Sequence, residues 1–344
     1  MASEREITTP VDLCDARGRL NPAARGWARQ PMLRANLRRR WGRKKRWDYW
    51  AVITDEVVVS FVHADIDYAG LANVWVMEHA TGAQAAAGML QPFARGMSLP
   101  AQVCTGLQSV AHKAITLRIE ETAEATRLVA TAPSSKGALE GAIDIDISVA
   151  KPSGHESLNV LIPWSERTFQ FTSKQNTRPA TGTVRVGARD WTVSAEHDAW
   201  GVQDLGRGIW PYANRWNWAS ASGRTGDGRL LGLQFGGKWT VGTGATENAL
   251  CIDGRLTKIS DELEWTYDWA NPMHAWRVRT PGSEQVDARL TPTFDRYDVT
   301  DLKVLKMEVH QCFGTWAGRV VGDDGVAVEF DGIRGFAEEA RNRW

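Results

Sequence analysis

Titratable and aromatic side chains are concentrated in one stretch of the sequence, AEHDAWGVQDLGRGIWPYANRWNWAS, from Ala195 to Ser220. His197 and Asp204 could transfer protons, and Arg207 supplies a fixed positive charge. Burial among indole rings would shift the pKa of such a carboxylate, as acid–base catalysis requires. We therefore take Asp204 as the candidate proton donor, with His197 as a second catalytic candidate and Arg207 as a ligand-binding one. The aromatic residues that would line the site are Trp200, Trp210, Tyr212, Trp216 and Trp218.

The same residues also have a purely structural interpretation. Trp216 and Trp218 are two positions apart, so both rings would lie on one face of a strand, as they do in the core of a β-barrel. Asp204 and Arg207 could form a structural ion pair, and such pairs also perturb pKa values. Both interpretations remain open on the sequence alone.

Further candidates follow in the second half of the chain. Glu247, a third catalytic candidate, lies in GTGATENA after a glycine-bent strand and could face the same site. Asn248 beside it and Lys238 nearby are ligand-binding candidates. A hairpin with a solvated Glu and Lys is the alternative for this region. His310 lies in LKMEVHQ on the face opposite Met307, where it would be solvated unless the polar face is the inner one.

Several familiar kinds of site are disfavoured. Gly242 and Gly244 lack the third glycine of a dinucleotide fingerprint, because Glu247 stands there, and no P-loop pattern occurs. The seven histidines include no pair at i, i+2 or i, i+4, and no G-x-S-x-G elbow is present. We therefore predict neither a metal nor a cofactor.

Composition indicates a soluble globular chain of 344 residues, in which 41 basic residues balance 41 acidic ones. Its four cysteines are widely spaced and are expected to be reduced thiols. The charged N-terminus has no apolar segment, which favours a cytoplasmic protein. The length is typical of two domains.

The elements that would position these residues are strands. AIDIDISVA alternates apolar and polar residues, as do LEWTYDW and LKMEVHQ, and Asp253-Gly254 and GDDG mark hairpin turns. Only AEEARNRW at the end of the chain and the region 32–47 suggest short helices. The sequence thus predicts an all-β fold of sandwiches or barrels. The polar stretch TSKQNTRPATGT, residues 172–183, suggests a boundary between domains 1–180 and 181–344.

The N-terminal segment is strongly basic. Twelve arginines and lysines and no acidic residue lie between Ala16 and Trp47. Overall neutrality argues against nucleic-acid binding, and a weak contact of residues 25–46 with a membrane surface stays possible on this pattern. We expect four rings to hold the segment on the body of the protein: Trp27, Trp41, Trp47 and Trp50.

Long motifs throughout the chain resemble the bacterial family known as domain of unknown function 2804. They include GRLNPAARGWARQP, KKRWDYW, SERTFQFTSKQNTRPATG, WGVQDLGRGIWPYANRWNWASASG, GGKWTVGTGATENALCIDGRLTKI, EVHQCFGTWAGRV and AEEARNRW. The resemblance covers essentially the whole chain but implies no activity.

A more distant resemblance concerns Asp204, Gly208 and the W-x-W of Trp216 and Trp218. This pattern is similar to the D-x-N-W-G and W-x-W of the hydroxyneurosporene synthase and AttH-like group, although Leu205 to Arg207 depart from it. That group implies two tandem lipocalin-like antiparallel β-barrels, and its members include proteins that hydrate or cyclise polyenes. The resemblance implies an apolar small-molecule ligand in an aromatic-lined pocket.

Two classes of function follow. An enzyme would hydrate, isomerise or cyclise an unsaturated lipid or isoprenoid without a cofactor, with Asp204 as the acid. A non-catalytic carrier would bind the same kind of ligand, and an Asp204 held in an ion pair would favour it. The oligomeric state is not predicted.

Overall fold

A computed structural model describes residues 4–301 and 305–344. Within these residues the chain forms twenty-four strands and two single-turn 3-10 helices, Pro22–Ala24 and Ala195–His197. The strands of the first half are β1 (Val11–Asp12), β2 (Trp27–Ala28), β3 (Leu33–Arg34), β4 (Lys44–Ile53), β5 (Val57–Asp65), β6 (Ala69–Glu78), β7 (Gln84–Pro92), β8 (Gly106–His112), β9 (Ile115–Glu121), β10 (Ala125–Ala132), β11 (Ile143–Ala150) and β12 (Leu158–Ile162). Those of the second half are β13 (Phe169–Val186), β14 (Arg189–Val193), β15 (Trp200–Ile209), β16 (Ala213–Arg224), β17 (Leu230–Gly237), β18 (Asn248–Ile252), β19 (Arg255–Ile259), β20 (Glu264–Thr266), β21 (Trp276–Arg279), β22 (Val286–Asp301), β23 (Lys306–Val321) and β24 (Ala327–Arg343).

The strands form two large antiparallel sheets. The first follows the order β7-β6-β5-β4-β15-β13-β11-β10-β9-β8, with β12 and β14 paired to β13 and β2 paired to β12. The second follows β19-β18-β17-β16-β24-β23-β22-β21-β20. Each sheet curls around its own apolar core, built around Trp50, Phe61 and Ile145 in the first and Trp276 and Trp316 in the second. The all-β prediction of two tandem lipocalin-like barrels is confirmed.

The two sheets also pack against each other. One buried apolar cluster contains residues of both sheets. Its members include Ala51 and Val202 of the first sheet and Trp218, Phe313 and Phe336 of the second. Strands β4 and β15 are therefore buried on both faces, with one face toward the core of the first sheet and the other toward the second sheet.

Period-two alternation identified strands correctly. β11 buries Ile143, Ile145 and Ile147 and turns Asp144 and Asp146 away from the core. The turns at Asp253-Gly254 and at Gly322–Gly325 join β18 to β19 and β23 to β24 as antiparallel neighbours. LEWTYDW is a strand only over Glu264–Thr266.

Both helix expectations are wrong. AEEARNRW lies within or just after β24, which pairs with β16 on one side and β23 on the other. The region 32–47 contains β3, a turn and the start of β4. In both segments the ladder hydrogen bonds and burial of side chains override the helix propensity of Ala, Glu and Arg.

The stretch 172–183 lies inside β13 and does not join the two sheets. β13 pairs with β15 and β12 in its first half and with β11 and β14 in its second half. The chain passes from the first sheet to the second only between Ile209 and Ala213. The division into domains at about residue 180 stays a prediction.

The N-terminal segment is ordered on the first sheet. Trp27 and Trp50 are buried and Trp47 is partly buried, as expected. The expectation for Trp41 is wrong, because its side chain is 65% exposed. No helix among the described residues is long and apolar enough to cross a bilayer.

Two glycines of β15 make room for neighbouring side chains. A Cβ on Gly206 would lie 2.2 Å from the Trp47 ring and 2.3 Å from Gln170 Nε2, and one on Gly208 would lie 2.1 Å from Gln170 Oε1. The G-x-G of this strand therefore serves close packing.

We predict that Gly206→Ala lowers the free energy of unfolding by about 1–3 kcal/mol, because the added methyl overpacks this contact. Gly226→Ala is the matched control, since no other group lies within 4 Å of the position that its added methyl would occupy. Chemical denaturation of both variants is the measurement. Equal stability of the two would contradict the assigned packing.

Candidate functional site

The alternation of β15 sends its charged side chains to opposite faces. Asp204 points between the two sheets, where Trp47 and Lys174 contact it. Arg207 points the other way and forms an ion pair of 2.6 Å with Asp48. Asp204 and Arg207 are therefore not partners, and the suggested ion pair between them is wrong.

A buried charge cluster joins the two sheets. We use this name for Lys174, Asp204 and Glu247. Lys174 Nζ lies 2.8 Å from Asp204 Oδ1 and 2.7 Å from Glu247 Oε1. Lys174 and Asp204 are directly paired across β13 and β15, whereas Glu247 immediately precedes β18 of the second sheet. The Trp218 ring completes the enclosure, with its centroid 4.2 Å from Lys174 Nζ.

Three side chains of the first sheet contact the carboxylate of Asp204. Trp47 Nε1 donates to Oδ2 at 3.0 Å, and Thr172 Oγ1 donates to Oδ1 at 3.2 Å. Lys174 occupies the same Oδ1. Asp204 is therefore held in an ion pair, the arrangement that the sequence analysis associated with a carrier.

The other two members of the buried charge cluster have shifted pKa values. Burial lowers the pKa of Lys174, but attraction to Asp204 and Glu247 outweighs burial and raises it. Burial raises the pKa of Glu247, and attraction to Lys174 only partly offsets this effect. One ammonium cannot neutralise two buried carboxylates, so the group can hold a proton, and Glu247 is where we expect it.

Glu338 is a functional candidate that the sequence analysis missed. It lies directly across from Trp218 in the β16–β24 pairing and accepts hydrogen bonds from Trp216 Nε1 at 2.8 Å and Gln311 Nε2 at 3.0 Å. Burial raises its pKa to about 7. The local sequence gave no signal for it, because the apolar residues of AEEARNRW are spaced three and four apart, as in a helix.

The tryptophans pack on one another. Trp210, 2% exposed, is the centre of a tryptophan cluster in which ring centroids lie 4.9–5.9 Å from its own. The surrounding rings are Trp47, Trp164, Trp216, Trp239 and Trp344. Trp239 Nε1 also donates to Glu247 Oε2 at 2.9 Å, which connects this cluster to the buried charge cluster.

A surface cleft of about 840 Å³ lies elsewhere, on the outer face of β21 and β22. It is lined largely by charged side chains, among them Arg277, Arg279, Asp287 and Arg289. None of the predicted site residues lines this cleft.

The remaining predicted residues are dispersed. His197 forms ion pairs with Asp55 at 3.1 Å and Glu56 at 3.5 Å on the surface. The ligand atoms of these three side chains lie within 4.8 Å of one another, a spacing that a cation could bridge. Trp200 is buried, and its Nε1 donates to Asp198. His197 and Trp200 therefore have partners other than Asp204.

Four other candidates also have their own partners. Lys238 pairs with Glu339 at 2.9 Å, and His310 pairs with Asp295 at 2.7 Å. Buried Asn248 bonds to Gly236 and Asp261, and Tyr212 is 44% exposed beneath Arg43. Of the predicted residues, Asp204, Glu247 and Trp218 all contact Lys174, and Trp210 and Trp216 belong to the neighbouring tryptophan cluster.

Comparison with known proteins supports the architecture. Kievitone hydratase from Nectria haematococca aligns over 86% of this chain and 88% of its own, with 12% identity and a TM-score of 0.51. CghA with Sch210972 gives 10% identity and 0.46 over 87% and 88%, and an AttH-type protein from Nitrosomonas europaea gives 14% and 0.39 over 86% and 92%. The likeness to the hydratase shows a shared fold.

Among curated protein sequences, nothing matches. The model of one family, domain of unknown function 2804 (DUF2804), matches residues 4–344. Since this match spans nearly the whole sequence, the chain belongs to the DUF2804 family.

Proposed function

We propose that the protein binds an unsaturated apolar small molecule between its two sheets and acts on it by proton transfer without a cofactor. The observation that carries this proposal is the buried charge cluster beside stacked tryptophans. A buried group that holds a proton in apolar surroundings is the machinery that protonation of a carbon–carbon double bond requires.

The proton donor in this proposal is Glu247 or Glu338, whose pKa values are both raised by burial. Transfer of the proton to one alkene carbon leaves a carbocation on the other, which the indole rings of the tryptophan cluster can stabilise. Attack of water on the cation completes hydration once the added water returns a proton to the glutamate carboxylate. Attack by a second double bond followed by loss of a proton to that carboxylate completes cyclisation, and loss of a neighbouring proton to it completes isomerisation. Kievitone hydratase, whose fold this chain shares, is named for a hydration.

A carrier is the second candidate. Asp204 is held by Lys174, Trp47 and Thr172, and this arrangement favours binding without reaction. In a carrier the tryptophan cluster would open to admit the ligand, and the charges would only position its polar end.

The two candidates differ in what Glu247→Gln does. We expect this variant to keep the co-purified apolar ligand and to lose turnover at least about 100-fold, because an amide cannot donate the proton. Native mass spectrometry identifies the ligand, and chromatography with NMR of that ligand after incubation measures conversion, since cyclisation and isomerisation do not change its mass. Glu264→Gln, which alters an exposed carboxylate paired with Arg279, is the control.

Each outcome separates the alternatives. An unchanged ligand structure after incubation with the wild-type protein, shown by chromatography and NMR, would establish the carrier. Full turnover by both Glu247→Gln and Glu338→Gln would contradict proton donation by either residue. Absence of any apolar ligand, under conditions that retain noncovalent complexes, would overturn both candidates.

Lys174→Met tests whether the cluster also holds the sheets together. The change leaves two buried carboxylates without a counter-charge, and we expect it to lower the free energy of unfolding by about 3–5 kcal/mol. Adding Asp204→Asn and Glu247→Gln should restore most of this loss, because the uncompensated charge is removed. Thermal denaturation of the single and triple variants checks the coupling, and additive losses would contradict it.

Glu338 should make stability depend on pH. Its pKa is raised from 4.5 to about 7 by folding, so its contribution is complete below pH 4.5 and is lost as the pH rises through 7. The loss is on the order of 3 kcal/mol. We expect Glu338→Gln to remove this part of the pH dependence in denaturation curves, and an unchanged slope between wild type and variant would contradict the shift.

A further inference from the structure

Arginines and a large aromatic ring are exposed together at one end of strands β4 to β7 of the first sheet. The loop before β4 leaves Arg38, Arg39, Arg40 and Trp41 exposed. Trp41 is 65% exposed, whereas Trp27 and Trp50, its neighbours in the basic segment, are buried. An indole this exposed contributes little to the stability of the fold.

A second loop adds apolar surface at this end. Phe93, after β7, is 59% exposed, and Arg95 of the same loop is exposed beside its ring. Leu90 is 68% exposed, and its cross-strand partner Leu71 is 37% exposed. The two loops and this pair form a surface that we call the basic apolar edge.

The two loops lie close together because both are bonded to the turn between β5 and β6. The backbone amide of Gly42 donates to Asp67 Oδ2 at 2.7 Å, and that of Phe93 donates to the carbonyl of Tyr68 at 2.8 Å. Phe93 is thus bonded to this short turn, and Trp41 directly precedes Gly42, which is bonded to it as well.

The positive charge of this edge is not neutralised locally. No acidic residue occurs in residues 16–47 or 79–119. Asp67, at the turn, is buried and paired with Lys44 and Arg46. Across residues 4–301 and 305–344, Arg39, Arg40 and Arg95 take part in no ion pair.

Both loops contain non-glycine residues with positive φ. Arg39 and Arg40 have φ of 59° and 50°, and Phe93 and Ala94 have φ of 58° and 49°. Non-glycine residues rarely adopt these values, and such strain is typical of sites under a functional constraint.

We propose that the basic apolar edge docks the protein on the surface of an anionic lipid bilayer. Its arginines would pair with headgroup phosphates, while Trp41 and Phe93 would enter the interfacial region that aromatic rings prefer. A nucleic acid would use the arginines but leave the exposed Leu71 and Leu90 in water.

This docking also connects to the tryptophan cluster. Arg43, in the same loop as Trp41, donates to the carbonyl of Trp344 at 3.2 Å and lies over the Tyr212 ring. An apolar molecule dissolved in the bilayer would therefore meet the protein next to the aromatic cluster. The docking itself does not depend on the proposed function.

Vesicle co-sedimentation tests the proposal with the full chain. We expect the wild type to sediment with vesicles of phosphatidylcholine and phosphatidylserine, far less with phosphatidylcholine alone, and less as salt is raised. Arg39→Glu with Arg40→Glu should reduce binding by about tenfold or more, because two attractive charges become repulsive. Trp41→Ala with Phe93→Ala should reduce binding while leaving its salt dependence unchanged.

Control variants reverse two positive charges or shorten two apolar side chains at exposed positions away from this surface. Lys113→Glu with Lys136→Glu reverses two exposed lysines, and Val241→Ala with Val326→Ala trims two exposed apolar residues. Melting temperatures equal to wild type verify folding. The proposal is overturned if wild type does not bind anionic vesicles, if the controls reduce binding equally, or if a duplex oligonucleotide competes through Arg39 and Arg40 more strongly than the vesicles.

Discussion

The arrangement of the two sheets depends on one interaction, the pairing of the Lys174 ammonium group with the carboxylates of Asp204 and Glu247. Lys174 and Asp204 belong to the first sheet and Glu247 to the second, and all three are buried. Buried charges are tolerated only when their partners stay in place. If one sheet slid past the other here, a buried carboxylate would lose its counter-charge. The same constraint leaves one excess negative charge, and that excess gives the region its capacity for a proton.

The surroundings of the buried charge cluster follow from the packing of β15. Gly206 and Gly208 have no side chains, so Trp47 and Gln170 can lie against the strand. Trp47 then reaches Asp204, and Gln170 accepts a hydrogen bond from Trp210 Nε1 at 2.7 Å. Gly206 and Gly208 of β15 thus allow the indole rings to lie around the charges.

Two adjacent glutamates of β24 have pKa values shifted in opposite directions by their surroundings. Glu338 faces the first sheet, and burial raises its pKa to about 7. Burial also acts to raise the pKa of Glu339, but hydrogen bonds from Arg341, Tyr267 and Lys238 outweigh it, and the pKa is lowered. Identical side chains one residue apart can therefore supply an acid and a permanent anion.

The sequence by itself determined the fold class and part of the site. Alternation in β11 and the hairpin turns at Asp253 and Gly322 are local properties, since side chains along a strand alternate whatever the strand packs against. Asp204, Glu247 and Trp218 were recognisable because acidic groups near tryptophans are chemically unusual. Only the tertiary structure decided that Lys174 joins the two carboxylates, that Glu338 lies in a strand, that Arg207 points away, and that Trp41 is exposed. These contacts join residues far apart in the sequence, such as Trp216 and Glu338 at a separation of 122 positions, and local patterns carry no information on which distant strands become neighbours.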